Sequence, residues 1–279
     1  MNEIKFKGNK PIKYSEPFKH NKKFGQNFLS DKNLLNAIVA DSGVSKNDEV
    51  LEIGTGMGTL TEAIARKARK VVSYEIDKKL TEFLKEKFAK TKNVEIKFID
   101  ILKLSMNEIE KDFIGDFYII ANLPFYITTP LIFKFLEQTS KAKNLILMVQ
   151  KEVAEKIVAV SGNKNYGILS VMINYYCDAK IMRNVKKEMF RPRPKVDSAV
   201  IKLIRKPDTF YSPKFTQFVA KCFSMKRKTL MNNLLKNNFK KEDILAAFES
   251  LKIPLMSRAE NLILNQFRQL FSELAQNRH

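Results

Sequence analysis

Cysteine is scarce in this 279-residue chain: Cys177 and Cys222 are its only two, 45 residues apart and without cysteine or histidine neighbours. That excludes a disulfide framework and a zinc motif, and it makes a reduced, cytoplasmic setting the default expectation. Histidine is equally sparse, and His20 and His279 sit in terminal stretches that suggest no chemistry. No metal site is expected. Long apolar runs are missing too. The best, Leu145-Ile146-Leu147-Met148-Val149, falls far short of the ~18 residues of a membrane span, so no membrane partner is expected. The basic opening, MNEIKFKGNKPIKYSEPFKHNKKFGQNF, has no apolar core of the kind a signal peptide needs.

Charge of one sign dominates instead. Fifty Lys and Arg face 30 Asp and Glu, a formal net charge of +20, and the excess is unevenly spread. Residues 47–122 are close to neutral at −1, residues 1–30 carry +5, and residues 180–241 carry +15. Such a division suggests chemistry in one part and capture of a polyanion in another. A hydrophobic fraction of 44% with 21 Phe suffices for a real core and rules out disorder as the main state.

The order of elements is legible from periodicity. Residues 1–21 read as a basic, irregular arm containing Pro11 and Pro17. Behind Ser30-Asp31, Leu34, Leu35, Ile38 and Val39 recur at helical spacing. Residues 49–53, 70–75, 94–99, 117–121, 145–149 and 200–204 read as strands alternating with helical stripes, which calls for an α/β, parallel, doubly wound sheet. After about residue 206 only helical stripes follow. The expected division is therefore an arm (1–21), a catalytic domain (22–206) and a small all-helical domain (207–279). Residues 225–235 admit a reading as a basic amphipathic helix.

Ligands of open parallel sheets bind at the carboxyl ends of the strands. There the sequence places Gly54, Gly56 and Gly58 in a strand–turn–helix context, Glu75 at the next strand end, Asp100 at the third and Asn122 at the fourth. Glycines admit close approach of a ligand to the backbone, and an acidic residue about 20 positions on suits the hydroxyls of a ribose. The spacing is G-x-G-x-G after Glu52, which suits S-adenosylmethionine better than the G-x-G-x-x-G of a nicotinamide dinucleotide. Asn122-Leu123-Pro124-Phe125 completes the set. A carboxamide oxygen and a backbone carbonyl directed at an exocyclic amine localise its lone pair, and an aromatic ring stacks on an extruded base.

In combination these segments resemble the rRNA adenine N6,N6-dimethyltransferases. They are Phe24-Gly25-Gln26-Asn27-Phe28-Leu29, Glu52-Ile53-Gly54-Thr55-Gly56-Met57-Gly58, Tyr74-Glu75-Ile76-Asp77, Asp100-Ile101 and Asn122-Leu123-Pro124-Phe125 with Ile127-Thr128-Thr129-Pro130. Gln150-Lys151-Glu152-Val153-Ala154, Tyr166-Gly167-Ile168-Leu169-Ser170, residues 190–200, Arg227-Lys228-Thr229-Leu230 and Arg258-Ala259-Glu260-Asn261-Leu262 look like the small-subunit branch of that family. The likeness covers about residues 22–265.

It implies a Rossmann-like, seven-stranded, mostly parallel S-adenosylmethionine-dependent methyltransferase domain followed by a helical one. The implied substrate is a pair of adjacent adenosines in the 3′-terminal hairpin loop of small-subunit (16S) rRNA, met by a monomer within immature 30S particles. Cofactor contacts fall by that pattern on Asn27, Leu29, Gly54, Gly56, Glu75, Asp100, Ile101 and Asn122, with Glu75 at the ribose and Asp100 at the adenine amine. Asn122, Leu123, Pro124 and Phe125 face the target adenine, with Phe190 as a second stacking ring. Phe125 departs from the pattern, where Tyr is frequent; stacking survives and a hydroxyl contact does not. The basic segment offers Lys186, Lys187, Arg191, Arg193, Lys195, Lys226, Arg227 and Lys228 for RNA phosphates. Three other readings share the fold: a large-subunit rRNA methyltransferase, a non-catalytic ribosome-assembly or transcription factor, and a nicotinamide-dependent oxidoreductase.

Overall fold

A computed structural model describes residues 28–29, 31–139, 141–207 and 212–276. The basic arm, Asn27 and both histidines lie outside the described residues. In chain order, the short strand β1 (Phe28–Leu29) precedes α1 (Lys32–Ser42), β2 (Glu49–Ile53), α2 (Thr59–Ala65), β3 (Lys70–Tyr74), α3 (Thr81–Phe88) and β4 (Val94–Lys97). Then come α4 (Met106–Glu110), β5 (Phe117–Asn122), α5 (Thr128–Gln138), β6 (Ala142–Gln150), α6 (Lys151–Ile157), α7 (Ile168–Tyr176) and β7 (Cys177–Val185). The chain ends with β8 (Phe190–Arg191), β9 (Ser198–Arg205) and the helices α8 (Pro213–Cys222), α9 (Leu230–Lys236), α10 (Lys241–Ser250) and α11 (Leu264–Gln276).

Among the described residues seven strands form one sheet in the order β4-β3-β2-β5-β6-β9-β7. The pairings from β4 through to β6 are parallel, and β9 runs antiparallel to both its neighbours. The period of two along the strands distributes side chains between two faces. Leu51, Val72, Ile119, Leu147 and Ile201 join the core that continues into α8–α11. Val50, Val71, Ile120, Ile146 and Val200 pack on the opposite face, with Leu35 and Ile38 of α1 and Ile64 of α2. The helices after β9 share the first core: Tyr175 of α7 lies 5.0 Å from the Phe215 ring, and Tyr166 lies 6.3 Å from Phe223.

The sheet has the seven strands expected, one of which periodicity does not locate, and one expectation, the basic helix, is corrected. The edge strand β7 was not read from the sequence, because its alternation of Ala179 and Ile181 with Asp178, Lys180 and Arg183 looks like part of a basic stretch; charged side chains on an edge are what keep it from pairing further. Residues 225–228 form a turn rather than the start of a basic helix. Lys228 N–H donates to the Met225 carbonyl, and α9 begins only at Leu230, capped by the Thr229 hydroxyl.

Local chemistry sets the helix ends. Asp31 caps α1 by accepting from Leu34 N–H, and Gly43 closes it in the left-handed region. The carboxyl end of α5 is held by Arg205, whose guanidinium donates to the carbonyls of Phe135, Leu136 and Ala142 at 2.6, 3.0 and 3.2 Å. Both cysteines are buried and unpaired in disulfides, and burial pushes the Cys177 thiol up to about 12.

Candidate active site

One cavity opens at the carboxyl ends of β2, β3 and β5 and gathers most of the residues singled out by sequence. Leu29, Gly54, Gly56, Glu75, Asp100, Ile101, Asn122, Leu123, Pro124, Phe125 and Phe190 all line it. Asn27 lies outside the described residues. The eight basic residues expected at RNA are not in its lining.

The floor is the turn after β2. Gly54, Gly56 and Gly58 all have positive φ, at 83°, 53° and 71°. A Cβ on Gly56 would stand 2.8 Å from the Phe28 ring, and one on Gly58 would stand 2.7 Å from Phe88. Both positions thus need glycine for space as well as for conformation. Gly54 N–H donates to the Tyr74 carbonyl at 2.8 Å, which fastens the turn to β3.

Glu75 follows β3 directly and is almost fully buried. Its carboxylate accepts from Gly56 N–H and from Asp77 N–H, each at 2.8 Å. Burial raises its pKa, and these two backbone donors oppose the rise. Asp100 stands three residues beyond the end of β4, not at the strand end itself, and caps a 3-10 turn over residues 101–103 by accepting from Leu102 N–H at 3.0 Å. That turn is gripped by Lys134 of α5, whose ammonium donates to the carbonyls of Ile101 at 3.3 Å, Leu102 at 3.4 Å and Leu104.

The opposite wall begins at the last residue of β5, Asn122. Leu123 N–H continues the sheet by donating to the Met148 carbonyl at 3.3 Å. Pro124 then turns the chain out of the sheet, and Phe125 enters a 3-10 turn closed by Ile127 N–H to the Pro124 carbonyl. Phe125 is half-buried, whereas Phe190 is buried at 2% exposure beneath the ribbon that β8 forms with β1.

Sequence reasoning missed several lining residues. Phe28 covers Gly56, because the pairing of Phe28 with Arg191 brings together segments that no local pattern links. Ile76, Ile99 and Leu102 line the cavity with partly exposed apolar side chains, and Tyr126 projects at its mouth with 59% exposure. Their signal was position alone, each lying within two residues of a predicted site residue.

The expected phosphate ligands divide into two groups. Near β8, Lys186 pairs with Asp197 at 3.4 Å, Arg193 with Glu188, Arg191 donates to the carbonyls of Glu188 and Phe190, and Lys187 N–H donates to Asp197. Lys195 is exposed close by. Lys226, Arg227 and Lys228 are exposed on the turn before α9; Lys226 and Lys228 line a second cleft with Lys156, Lys164 and Arg258. Among the described residues no cluster of three His, Cys, Asp or Glu side chains could hold a metal ion, and no helix is long and apolar enough to cross a membrane.

The residues present fit S-adenosylmethionine. The glycine turn leaves room that any Cβ would reduce, Glu75 supplies a buried acceptor, and Ile76, Ile99, Ile101 and Leu102 give apolar walls for an adenine.

Comparison with known proteins agrees. The sequence profile of the family described as ribosomal RNA adenine dimethylase matches residues 17–276. A Clostridium botulinum protein named ribosomal RNA small subunit methyltransferase A is 42% identical over 259 residues, 91% of this chain and 93% of that one. The crystal structure of a dimethyladenosine transferase from Plasmodium falciparum superimposes with a TM-score of 0.78 at 30% identity, covering 89% of this chain and 98% of that one. The 23S rRNA methyltransferase ErmE gives a TM-score of 0.69 at 26% identity, covering 90% and 100%. With the profile spanning nearly the whole chain and the fold and cavity in agreement, this protein belongs to the ribosomal RNA adenine dimethylase family, the S-adenosylmethionine-dependent methyltransferases of ribosomal RNA.

Proposed function

We propose that the protein methylates N6 of two adjacent adenosines in the 3′-terminal hairpin loop of small-subunit rRNA, twice each, acting in the cytoplasm as a monomer on immature 30S particles. The observation that carries this reading is the convergence of Asn122-Leu123-Pro124-Phe125 with the glycine turn, Glu75 and Asp100 on one cavity. The choice of subunit rests on the relatives: 42% identity to a small-subunit enzyme against 26% to a 23S enzyme.

The bound cofactor supplies an electrophilic methyl on a sulfonium. Gly54, Gly56, Glu75, Asp100 and Ile101 hold and orient it. An adenine amine is a weak nucleophile because its lone pair is shared with the ring. The Asn122 carboxamide oxygen and the Leu123 carbonyl accept the two N–H bonds and draw the nitrogen toward tetrahedral geometry, so the lone pair faces the methyl. Phe125, with Phe190 as a second ring lining the same cavity, stacks on the extruded base. When bound, the cofactor would supply the methyl and keep the sulfur electron pair, and the surplus amine proton would leave from the Asn122 and Leu123 acceptors to solvent.

The basic residues position the RNA. Lys226, Arg227 and Lys228, exposed on one turn of the segment from 207 onward, are the strongest phosphate ligands of the eight. Of those near β8, Lys186, Arg193 and Arg191 already serve Asp197, Glu188 and backbone carbonyls.

Asn122→Ala tests the mechanism. Dimethyladenosine formation on undermethylated small subunits, read by mass spectrometry, is expected to be lost while subunit binding persists; methylation at the wild-type rate sinks the proposal. A large-subunit specificity is the second reading, favoured by the likeness to ErmE, and mapping which rRNA acquires dimethyladenosine decides between them.

A further inference from the structure

Behind the glycine turn, on the face of the sheet that packs against α2, four polar side chains form a closed cluster. Glu52 on β2, Thr55 in the turn, Thr61 on α2 and Ser73 on β3 are all buried. Both Thr61 Oγ1 and Ser73 Oγ donate to Glu52 Oε2, at 2.6 and 2.7 Å. Each hydroxyl has one hydrogen. Ser73 spends its own on Glu52, so the 2.6 Å contact between Thr55 Oγ1 and Ser73 Oγ must be donated by Thr55. All three hydroxyl hydrogens therefore run toward one carboxyl oxygen, and Thr55 lines the cofactor cavity.

The other carboxyl oxygen, Glu52 Oε1, is buried with no hydrogen-bond partner. An ionised carboxylate would leave that oxygen charged, dry and undonated, which is costly. A neutral acid with its hydroxyl at Oε1 and its carbonyl at Oε2 accepts both Thr61 and Ser73 and buries no charge. Of the charged groups around it, Glu75 favours this form and Lys87 opposes it, the Glu75 effect being the larger. Glu75 at the end of β3 is a like charge, and Lys87 of α3 is engaged elsewhere: it donates to the Met57 carbonyl at 2.8 Å and lies 3.8 Å from Glu62 of α2.

We propose that Glu52, in its neutral form, is a positioning residue that holds the glycine turn through Ser73 and Thr55 and the start of α2 through Thr61, so that cofactor affinity falls when Glu52 ionises. The inference rests on the cofactor reading above. Burial, opposed in part by the two hydroxyl donors, lifts the Glu52 pKa to about 8, which puts the loss on the alkaline side of neutrality.

The probe is S-adenosylhomocysteine, the demethylated product, which avoids the alkali-labile sulfonium, titrated calorimetrically into the whole protein from pH 6 to 9.5. Wild-type affinity is expected to drop about tenfold from neutral to alkaline pH, relative to Glu52→Gln, in which a neutral carboxamide keeps the same two acceptor contacts. The two proteins should agree within about twofold below pH 7, since a neutral acid and an amide are near-isosteres. Glu52→Leu should bind weakly at every pH, with KM for the cofactor raised more than kcat is lowered; folding is checked by circular dichroism. If Glu52→Gln and wild type give superimposable pH profiles, the positioning role is wrong even though the cofactor binds. If wild type fails to bind the probe at any pH, the cofactor reading falls and takes this inference with it.

Discussion

Gly56 carries two constraints at once. Its φ of 53° is strained for any L side chain, and its missing Cβ leaves room for the Phe28 ring. Gly56→Ala is expected to weaken cofactor binding about tenfold, from backbone strain of roughly 1–2 kcal/mol together with displacement of Phe28, measured by calorimetry on the purified variant. Glu52 leaves a different mark, on stability. Its folded pKa lies above its ordinary value, so between about pH 4.5 and 8 the native state holds a proton that the unfolded chain has released. Stability contributed at Glu52 is therefore greatest at acid pH and is lost as pH rises through that window. Glu52→Gln should melt several degrees above wild type at pH 8.5, and the gap should close toward pH 5; a gap independent of pH contradicts the assignment.

At the scale of elements, the short turn after Asp100 and the helix after Asn122 are joined by one side chain. Lys134 satisfies three backbone carbonyls that would otherwise be left without their ammonium donor. Lys134→Met should cost about 1–3 kcal/mol and raise the KM for the cofactor several-fold, with Lys134→Arg recovering part of the loss. The strands that flank the site were legible in sequence because β2, β3 and β5 are short apolar runs, each ending at or beside a residue with chemistry. The edge strand β7 was not, since half its side chains meet solvent and carry charge. Helix α7 was hidden for the opposite reason: Ile168 to Tyr176 is so apolar that neither period stands out, because it is buried between the sheet and α8. The β1–β8 ribbon was invisible because its two halves lie some 160 residues apart and each is two residues long.

Across the whole molecule the charge of +20 is unevenly spread, which is what the proposed separation of RNA capture from chemistry requires. The acidic and basic residues of 47–122 nearly cancel around the cavity, and the excess lies in the segment from 180 to 241. Neutralising Lys226, Arg227 and Lys228 together should lower affinity for the small subunit and flatten its dependence on salt by about 2 in log–log slope, leaving affinity for the cofactor unchanged. A filter-binding series across salt concentrations checks both halves of that statement. The division itself was readable from the sequence. Which basic residues are available was not, because Asp197 and Glu188 engage several of them only once the chain is folded.

The ribbon between Phe28–Leu29 and Phe190–Arg191 also dictates an order of events during synthesis. As the chain leaves the ribosome, the glycine turn, Glu75, Asp100 and Asn122 emerge in succession, yet the wall that covers Gly56 and seats Phe190 waits for the strand partner at 190–191. About two-thirds of the protein must be translated before the pocket can close. A nascent chain cut short of that point holds Glu75, Asp100 and Asn122 but lacks the strand that completes the cavity wall, so a closed cavity waits for synthesis to pass residue 191.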